Sequence, residues 1–427
     1  MTLFIDVPRK AFLCAALAVL AMAPLEGAQA RKDSVVYSFT GGADGASPAA
    51  GFVADASGNL YSTAFGGGAS GHGDVFEISA SGTRTVLYSF TGGADGGAPQ
   101  STLIRDKDGN LFGTTSAGGA KNIGTVFMLA PNGTEAVLHS FKGGYDGAYP
   151  EAGLIADGKG NLYGTTQAGG GAVYCGGGCG TVFRISRSGK EEVIYAFAGS
   201  PDGAYPAAGL VADRAGNLYG TTLGGGLQSN YCGIGCGTAF ELSPSGGSTW
   251  NETVIHAFVG GGSDGINPAA GLTADGAGNF YGTTTLGGNL KDCIAAAGCG
   301  SVFELSPAQN GAWSEVVVYA FKGGSDGSTP YAGLIRDGGG NFYGTTFEGG
   351  LSNCPYSSGC GTVFRISARG HENVLHAFAG ATGDGANSQS ALYADGKGTL
   401  IGTTDAGGAT QGCFENQGCG TAFTLKQ

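Results

Sequence analysis

Seven aspartates, each followed by glycine, are the first set of residues in this sequence with the means to do chemistry: Asp44, Asp95, Asp146, Asp202, Asp264, Asp326 and Asp384. Carboxylates recurring at one place in a repeating pattern can supply oxygen ligands to a hard cation, so Ca2+ is the one cofactor the set suggests. A plainer role competes. Each Asp can accept a backbone N–H and close its own glycine-rich loop as an Asx-turn. A second run of carboxylates, from Asp55-x-x-Gly58 through Asp157-x-x-Gly160 to Asp395-x-x-Gly398, is fully explained as hairpin turns with a glycine in the left-handed region.

A third set is defined by exception. Ala49, Ala207 and Ala269 precede Ala-Gly-Leu or a similar run, but Gln100, Glu151, Tyr331 and Gln389 stand at the equivalent positions. The repeat does not require these four. A tyrosine can stack on a sugar or apolar face, and amides and a carboxylate can fix hydroxyls, so they are the candidate ligand-binding residues. Ordinary drift at a solvated position is the competing reading.

Cysteine and histidine complete the inventory. Ten cysteines form local pairs: Cys175 with Cys179, Cys232 with Cys236, Cys293 with Cys299, Cys354 with Cys360, and Cys413 with Cys419. The second member always precedes Gly-Thr/Ser-Val/Ala-Phe. In an exported chain this is a disulfide framework. Zinc would need four converging ligands, and pairs from separate repeats with no histidine beside them do not offer that. His139, His256 and His376 replace a tyrosine that stands at Tyr37, Tyr88, Tyr195 and Tyr319, and read as structural. His72 and His371 are isolated, so no Ser/His/Asp triad assembles and no catalytic residue is assigned.

All of these residues are carried by one unit stated seven times, with starts at Val35, Val86, Val137, Val193, Val254, Val317 and Val374. The third repeat shows four strand-like runs: Ala152–Asp157, Asn161–Thr166, Gly180–Ser186 and Val193–Phe197. They are rich in β-branched and aromatic residues and bounded by Gly, Asp, Asn and Ser, and no helical period appears. Four antiparallel strands per unit, repeated, predict an all-β, seven-bladed β-propeller over residues 31–427. The chain opens on a fourth-type strand, Val35–Phe39, and closes on a third-type strand, Thr421–Leu425, so the N-terminal strand is expected to complete the last blade. Alternating chain direction puts the long loops on one face and the Asp-x-x-Gly turns on the other. A site is expected on the long-loop face, at the channel mouth.

The units resemble the GloVer (Gloeobacter–Verrucomicrobia) tandem repeats of exported bacterial proteins. The carrying residues are L-Y-S-F-T-G-G-A-D-G at Leu87–Gly96, D-G-x-G-N-L/F-Y-G-T-T at Asp157–Thr166 and Asp337–Thr346, and G-T-V-F at Gly124–Phe127. The resemblance implies an exported repeat protein and brings no catalytic residues. Such proteins often end in a sorting anchor; the sequence up to Gln427 has none, so surface anchoring is not expected. More distantly, the A-G-L-x-A-D-x-x-G-N-L-Y strand pair is similar to NHL and gluconolactonase-type propellers.

Charge and the N-terminus set the remaining bounds. A net charge of −12 with 13% charged residues and no basic patch excludes nucleic acid and anionic membrane surfaces as partners. Residues 1–30 read as a signal peptide, with Arg9 and Lys10, an apolar Ala11–Leu20 and an Ala28-Gln29-Ala30 cleavage site. The apolar run is too short for membrane insertion. The expectation is an exported monomer, periplasmic or extracellular, acting as a non-enzymatic scaffold for a glycan, polymer or protein ligand. The alternative is a propeller lyase, lactonase or hydrolase with a metal in the channel. That reading needs several acidic, Asn or His side chains at the axis. The inner runs offer mostly Ala, Gly and Leu, with Glu151 the one evident carboxylate.

Overall fold

Each repeat folds into strands where its Val, Ile, Tyr, Phe and Thr cluster, and breaks where Asp, Asn and Gly intervene. The computed structural model describes residues 33–427 except 292, 294–296, 310, 353, 357, 381–382, 410–412 and 414–416. The expected signal peptide at 1–30 lies outside the described residues. The third blade runs Ile155–Ala156, Leu162–Thr166, Thr181–Ile185 and Glu191–Ala196, hydrogen-bonded in that order and antiparallel throughout. Seven such four-stranded sheets form the propeller. The expected inner strand is the one that shrinks, to two paired residues. Its leading part, Ala152 to Leu154, lines the axis instead of pairing with its own blade.

The motifs explain the packing. The Asp-x-x-Gly hairpin is built as predicted: Asp157 accepts the N–H groups of Lys159 and Asn161 and the side-chain amide of Asn161, and Gly160 takes φ 83°. In Gly-Thr-Thr the glycine is required by contact. A Cβ on Gly164 would lie 2.6 Å from the Phe183 ring and 2.8 Å from Leu154. The first threonine reaches the next blade, where Thr165 donates its hydroxyl to the carbonyl of Ala208 at 3.2 Å. The second stays at home: Thr166 and Thr181 share a hydrogen bond of 2.7 Å between their hydroxyls. Blade to blade, a phenylalanine ending the fourth strand meets the third-strand phenylalanine of the next unit edge to face, as in Phe141–Phe183 and Phe197–Phe240. These rings are the largest fully buried side chains, and each such pair adds about 1 kcal/mol beyond its buried area.

The ring closes as the sequence predicted. Asp33–Ser38 pairs antiparallel with Thr421–Lys426, Val35 opposite Phe423 and Ser38 opposite Thr421. The first blade departs from the pattern. Ala64 and Asp74 replace the threonine pair, and Arg84 meets Asp74 at 2.9 Å with side-chain exposures of 3% and 0%.

All five expected cysteine pairs are bonded. Cys175 joins Cys179, and Cys232 joins Cys236, each closing a loop four residues apart in sequence. Cys293 joins Cys299, Cys354 joins Cys360, and Cys413 joins Cys419, each six residues apart. Every bridge lies between the second and third strands of its blade. These disulfides are consistent with an exported protein. Among the described residues, no helix is long and apolar enough to cross a membrane.

Candidate functional site

The mouth of the axial channel is built from two positions in every blade. One precedes the inner strand and the other follows Gly-Thr-Thr at the end of the second strand. A backbone clasp brings them together: the N–H of the second position bonds the carbonyl two residues before the first, as in Gln167 to Tyr149 and Phe347 to Thr329. The residue supplying that carbonyl is always non-glycine and always left-handed: Ser47, Ala98, Tyr149, Tyr205, Asn267, Thr329 and Asn387, with φ from 50° to 61°. Each such residue costs roughly 1–2 kcal/mol. Its own N–H is held by the preceding blade. In five cases the acceptor is the carbonyl of the second cysteine of a disulfide: Tyr205 bonds Cys179, Asn267 bonds Cys236, Thr329 bonds Cys299, Asn387 bonds Cys360 and Ser47 bonds Cys419. The cysteine loops therefore anchor the mouth as well as decorate it.

The four sequence candidates converge there. Gln100, Glu151, Tyr331 and Gln389 surround a mouth of about 250 Å3, with Ala49, Ala207 and Ala269 completing the ring. The channel below holds about 340 Å3 between the inner strands. Opposite the four stand residues that were not singled out from sequence. Gln167 donates its amide to Glu151 Oε2 at 3.2 Å. In the seventh blade the same pair occurs with its members exchanged: Gln389 donates to Asp405. Tyr331 packs edge to face on Phe347, with ring centroids 5.6 Å apart, and is 39% exposed. Phe65 adds a further exposed aromatic ring at the second position of the first blade. The signal that marked the first four also marks these. The second position reads Phe65, Ser116, Gln167, Leu223, Thr285, Phe347 and Asp405, a set with no consensus inside an otherwise repetitive motif.

The mouth is thus mixed in chemistry around its ring. Amides and carboxyls come from the seventh, second and third blades, the Tyr331–Phe347 rings from the sixth, and Ala and Leu from the first, fourth and fifth. Burial pushes the Glu151 carboxyl up, with a hydrogen bond from Gln100 opposing. Burial pushes Asp405 up to about 7, with Gln389 opposing, and its Oδ1 is buried without a partner. Burial, then the charge of Glu348, holds the Tyr331 phenol above its ordinary value. The site therefore combines amide donors, carboxyl groups raised by burial and stacking rings in a partly dry setting.

The seven Asp-Gly carboxylates are placed elsewhere and are not gathered. Each is tied to its own outer strand and loop at the rim. Asp44 accepts the Tyr37 hydroxyl and the Thr40 N–H, both at 2.9 Å, and Asp326 accepts the Tyr319 hydroxyl at 2.6 Å. His139, His256 and His376 make the equivalent contact, at 3.2, 3.4 and 3.3 Å from Asp146, Asp264 and Asp384. Among the described residues, the groups of three side chains spaced to share a metal contain these histidines and lie at the rim; none is at the channel mouth.

Comparison with known proteins agrees with the architecture. Among solved structures, the chain is similar to a putative gluconolactonase (10% identity, 93% of this chain and 92% of that one, TM-score 0.41). It is also similar to a luciferin-regenerating enzyme (10% identity, 93% and 95%, TM-score 0.42). A fungal alcohol oxidase of the AA5 family in complex with copper matches at 12% identity over 93% of this chain and 76% of that one, with a TM-score of 0.56, a likeness of fold. No curated protein matches in sequence. The Gloeobacter/Verrucomicrobia repeat matches residues 25–234 and 176–423, which together span nearly the whole chain, and the protein belongs to that family.

Proposed function

We propose that the protein is an exported binding module, periplasmic or extracellular, that holds a hydroxyl-rich ligand at the long-loop mouth of its channel. The ligand class favoured is a glycan or related polymer. The observation that carries this reading is the Tyr331–Phe347 pair sharing one mouth with two amide–carboxylate pairs, Gln389–Asp405 in the next blade and Gln167–Glu151 across the ring. Stacking rings beside fixed donors and acceptors suit a sugar, which has apolar ring faces and hydroxyl edges. The mouth admits a chain end or a single projecting group; a folded protein would have to dock on the surrounding loops. A rigid frame with variable loops suits recognition.

The test is calorimetric titration of the mature protein with a panel of soluble oligosaccharides. The parent is expected to bind at least one. The quadruple change of Gln100, Glu151, Tyr331 and Gln389 to Ala is expected to abolish binding with the fold intact, since Ala stands at that place in three blades. Unchanged affinity in the quadruple variant overturns the site.

A lyase, lactonase or hydrolase remains the second reading, and the observation favouring it is that burial raises two mouth carboxyls, Glu151 and Asp405. Conversion of a bound ligand, lost on Glu151→Gln or Asp405→Asn, would establish it. A channel metal has little to hold it. Among the described residues lining the channel, Glu151 is the lone carboxylate and histidine is absent.

A further inference from the structure

The seams between blades at the outer rim follow a rule the sequence motif does not announce. A residue at the start of one outer strand reaches the Asp-Gly loop that follows the outer strand of the preceding blade, so that two acidic side chains face one another across the seam. A β-bulge in every third–fourth strand pair, such as that between Val302 and Phe303, sets the outer strand for this meeting. The aromatic position near the end of the preceding blade's outer strand supplies a third side chain. That third group alternates around the ring: Tyr88, His139, Tyr195, His256, Tyr319, His376 and Tyr37. In three seams, His139 with Asp146 and Glu191, His256 with Asp264 and Glu315, and His376 with Asp384 and Asp33, one donor atom from each residue lies within 4.8 Å of the others.

The best formed is the seam between the fourth and fifth blades. Asp264 is only 5% exposed and is fixed by N–H groups of Val259 and Gly265, both at 2.7 Å. His256 lies edge-on against Phe258, with centroids 4.6 Å apart, which orients its ring, and its Nε2 is 3.4 Å from Asp264 Oδ1. Glu315 comes from the next blade, and its Oε1 is buried without a hydrogen-bond partner. Two facing carboxylates repel unless a proton or a cation sits between them. One imidazole nitrogen and two carboxylate oxygens are the ligands of a zinc-class ion, neutralise its charge, and leave a fourth position for water. Ligand atoms on one such ion are about 3.3 Å apart, so only small closure is needed. The tyrosine seams are an internal comparison. They orphan the same glutamate oxygen, at Glu135, Glu252 and Glu372, but their phenol is a donor and leaves only two ligands.

We propose that His256, Asp264 and Glu315 form a divalent-cation site of the zinc class that ties the fourth blade to the fifth, with the other two histidine seams as weaker copies. In the seam of the second and third blades, the Lys142 ammonium lies near Glu191 and competes with a cation. In that of the sixth and seventh, Asp33 is shorter and 42% exposed on its side chain. The role is structural and independent of the channel mouth.

The test uses the full mature protein with its disulfides intact, so that no thiolate contributes, stripped with EDTA and titrated calorimetrically with ZnCl2. Saturable uptake of one to three equivalents and a zinc-dependent rise in melting temperature are expected. His256→Tyr should remove the tightest equivalent without unfolding, because tyrosine occupies that place in four seams; the triple change of His139, His256 and His376 to Tyr should remove all. Glu315→Gln, which keeps shape and removes charge, should also lose the tightest equivalent. Failure of the parent to take up zinc, or uptake by the triple variant equal to the parent's, overturns the proposal. So does tight calcium binding in place of zinc that is indifferent to the histidines.

Discussion

The hydroxyl of Thr403, in the last blade, donates to the carbonyl of Ala50, in the first, at 3.0 Å and across 353 residues of chain. The same bond joins every other neighbouring pair, from Thr63 to Ser101 through Thr345 to Ser390. The ring of blades is thus matched by a ring of seven buried hydrogen bonds around the axis, and the N-terminal strand completes it from outside.

Opening the ring should weaken all of it. Deletion of residues 33–38 exposes the edge of Thr421–Lys426 and uncovers Phe423 and Ala422. We expect a single, lower melting transition for the whole domain; an unchanged melting curve would show that the seventh blade does not depend on closure. Thr403→Val removes this bond and leaves the Ala50 carbonyl with the Ser62 hydroxyl as its remaining partner, so it should cost only about 1 kcal/mol in denaturant unfolding.

The buried Arg84–Asp74 pair of the first blade should respond asymmetrically. Asp74→Ala leaves a guanidinium uncompensated among Tyr37, Phe39 and Phe76, and should cost about 3–5 kcal/mol. Combining Asp74→Thr with Arg84→Glu restores residues that other blades carry at both places and should recover most of that loss. A double variant no more stable than Asp74→Ala counts against the account.

Stability should pass through a maximum in mildly acid solution. Burial, then the facing Asp95, Asp202 and Asp326, pushes Glu135, Glu252 and Glu372 up to about 7 in the folded protein. Their folded values exceed the ordinary 4.5, so their contribution is complete below that value and is lost as pH rises through about 7. The turn residues Asp55, Asp106, Asp157 and Asp337 act oppositely. Burial pushes them up, but hydrogen bonds from Asn59, Asn110, Asn161 and Asn341 outweigh it and lower them. That contribution is present above the ordinary 3.8 and lost as pH falls below it. Melting temperatures in EDTA from about pH 3 to about pH 8 should therefore rise and then fall, and changing the three glutamates to Gln should flatten the alkaline limb.

The disulfides should matter most at the mouth. Thiol titration of unfolded, unreduced protein should find almost no free cysteine. Reduction should raise hydrogen exchange at Ser47, Tyr205, Asn267, Thr329 and Asn387, whose N–H groups bond the carbonyls of Cys419, Cys179, Cys236, Cys299 and Cys360, more than in the central strands. Equal loosening throughout would contradict that placement.

The parts that repeat were legible from residue pattern alone. Strand number and hairpin chemistry are periodic, so a single reading of Asp157 to Phe197 carries to the other blades; cysteine pairing is local to five loops, and the offset that closes the ring is visible at the two ends. The same pattern also marked Gln100, Glu151, Tyr331 and Gln389, because a departure from a repeat is visible without coordinates. Which residues from different strands and blades face each other depends on the folded ring. Asp405 meets Gln389, and Phe347 meets Tyr331, through the clasp between second-strand exit and inner-strand entry. Pairing Cys293 with Cys299 was legible from spacing, but the reach of the Cys299 carbonyl to Thr329 of the next blade was not. Glu315 meets Asp264 because blade twist carries the start of one outer strand to the end of the last. The inner strand was overestimated for the same kind of reason: Ala152 to Leu154 has strand-like composition, but at the axis the neighbouring blades, not its own sheet, are what it packs against. Composition specifies a strand's tendency to pair. Twist, bulge and ring closure specify its partners, and those depend on the whole ring.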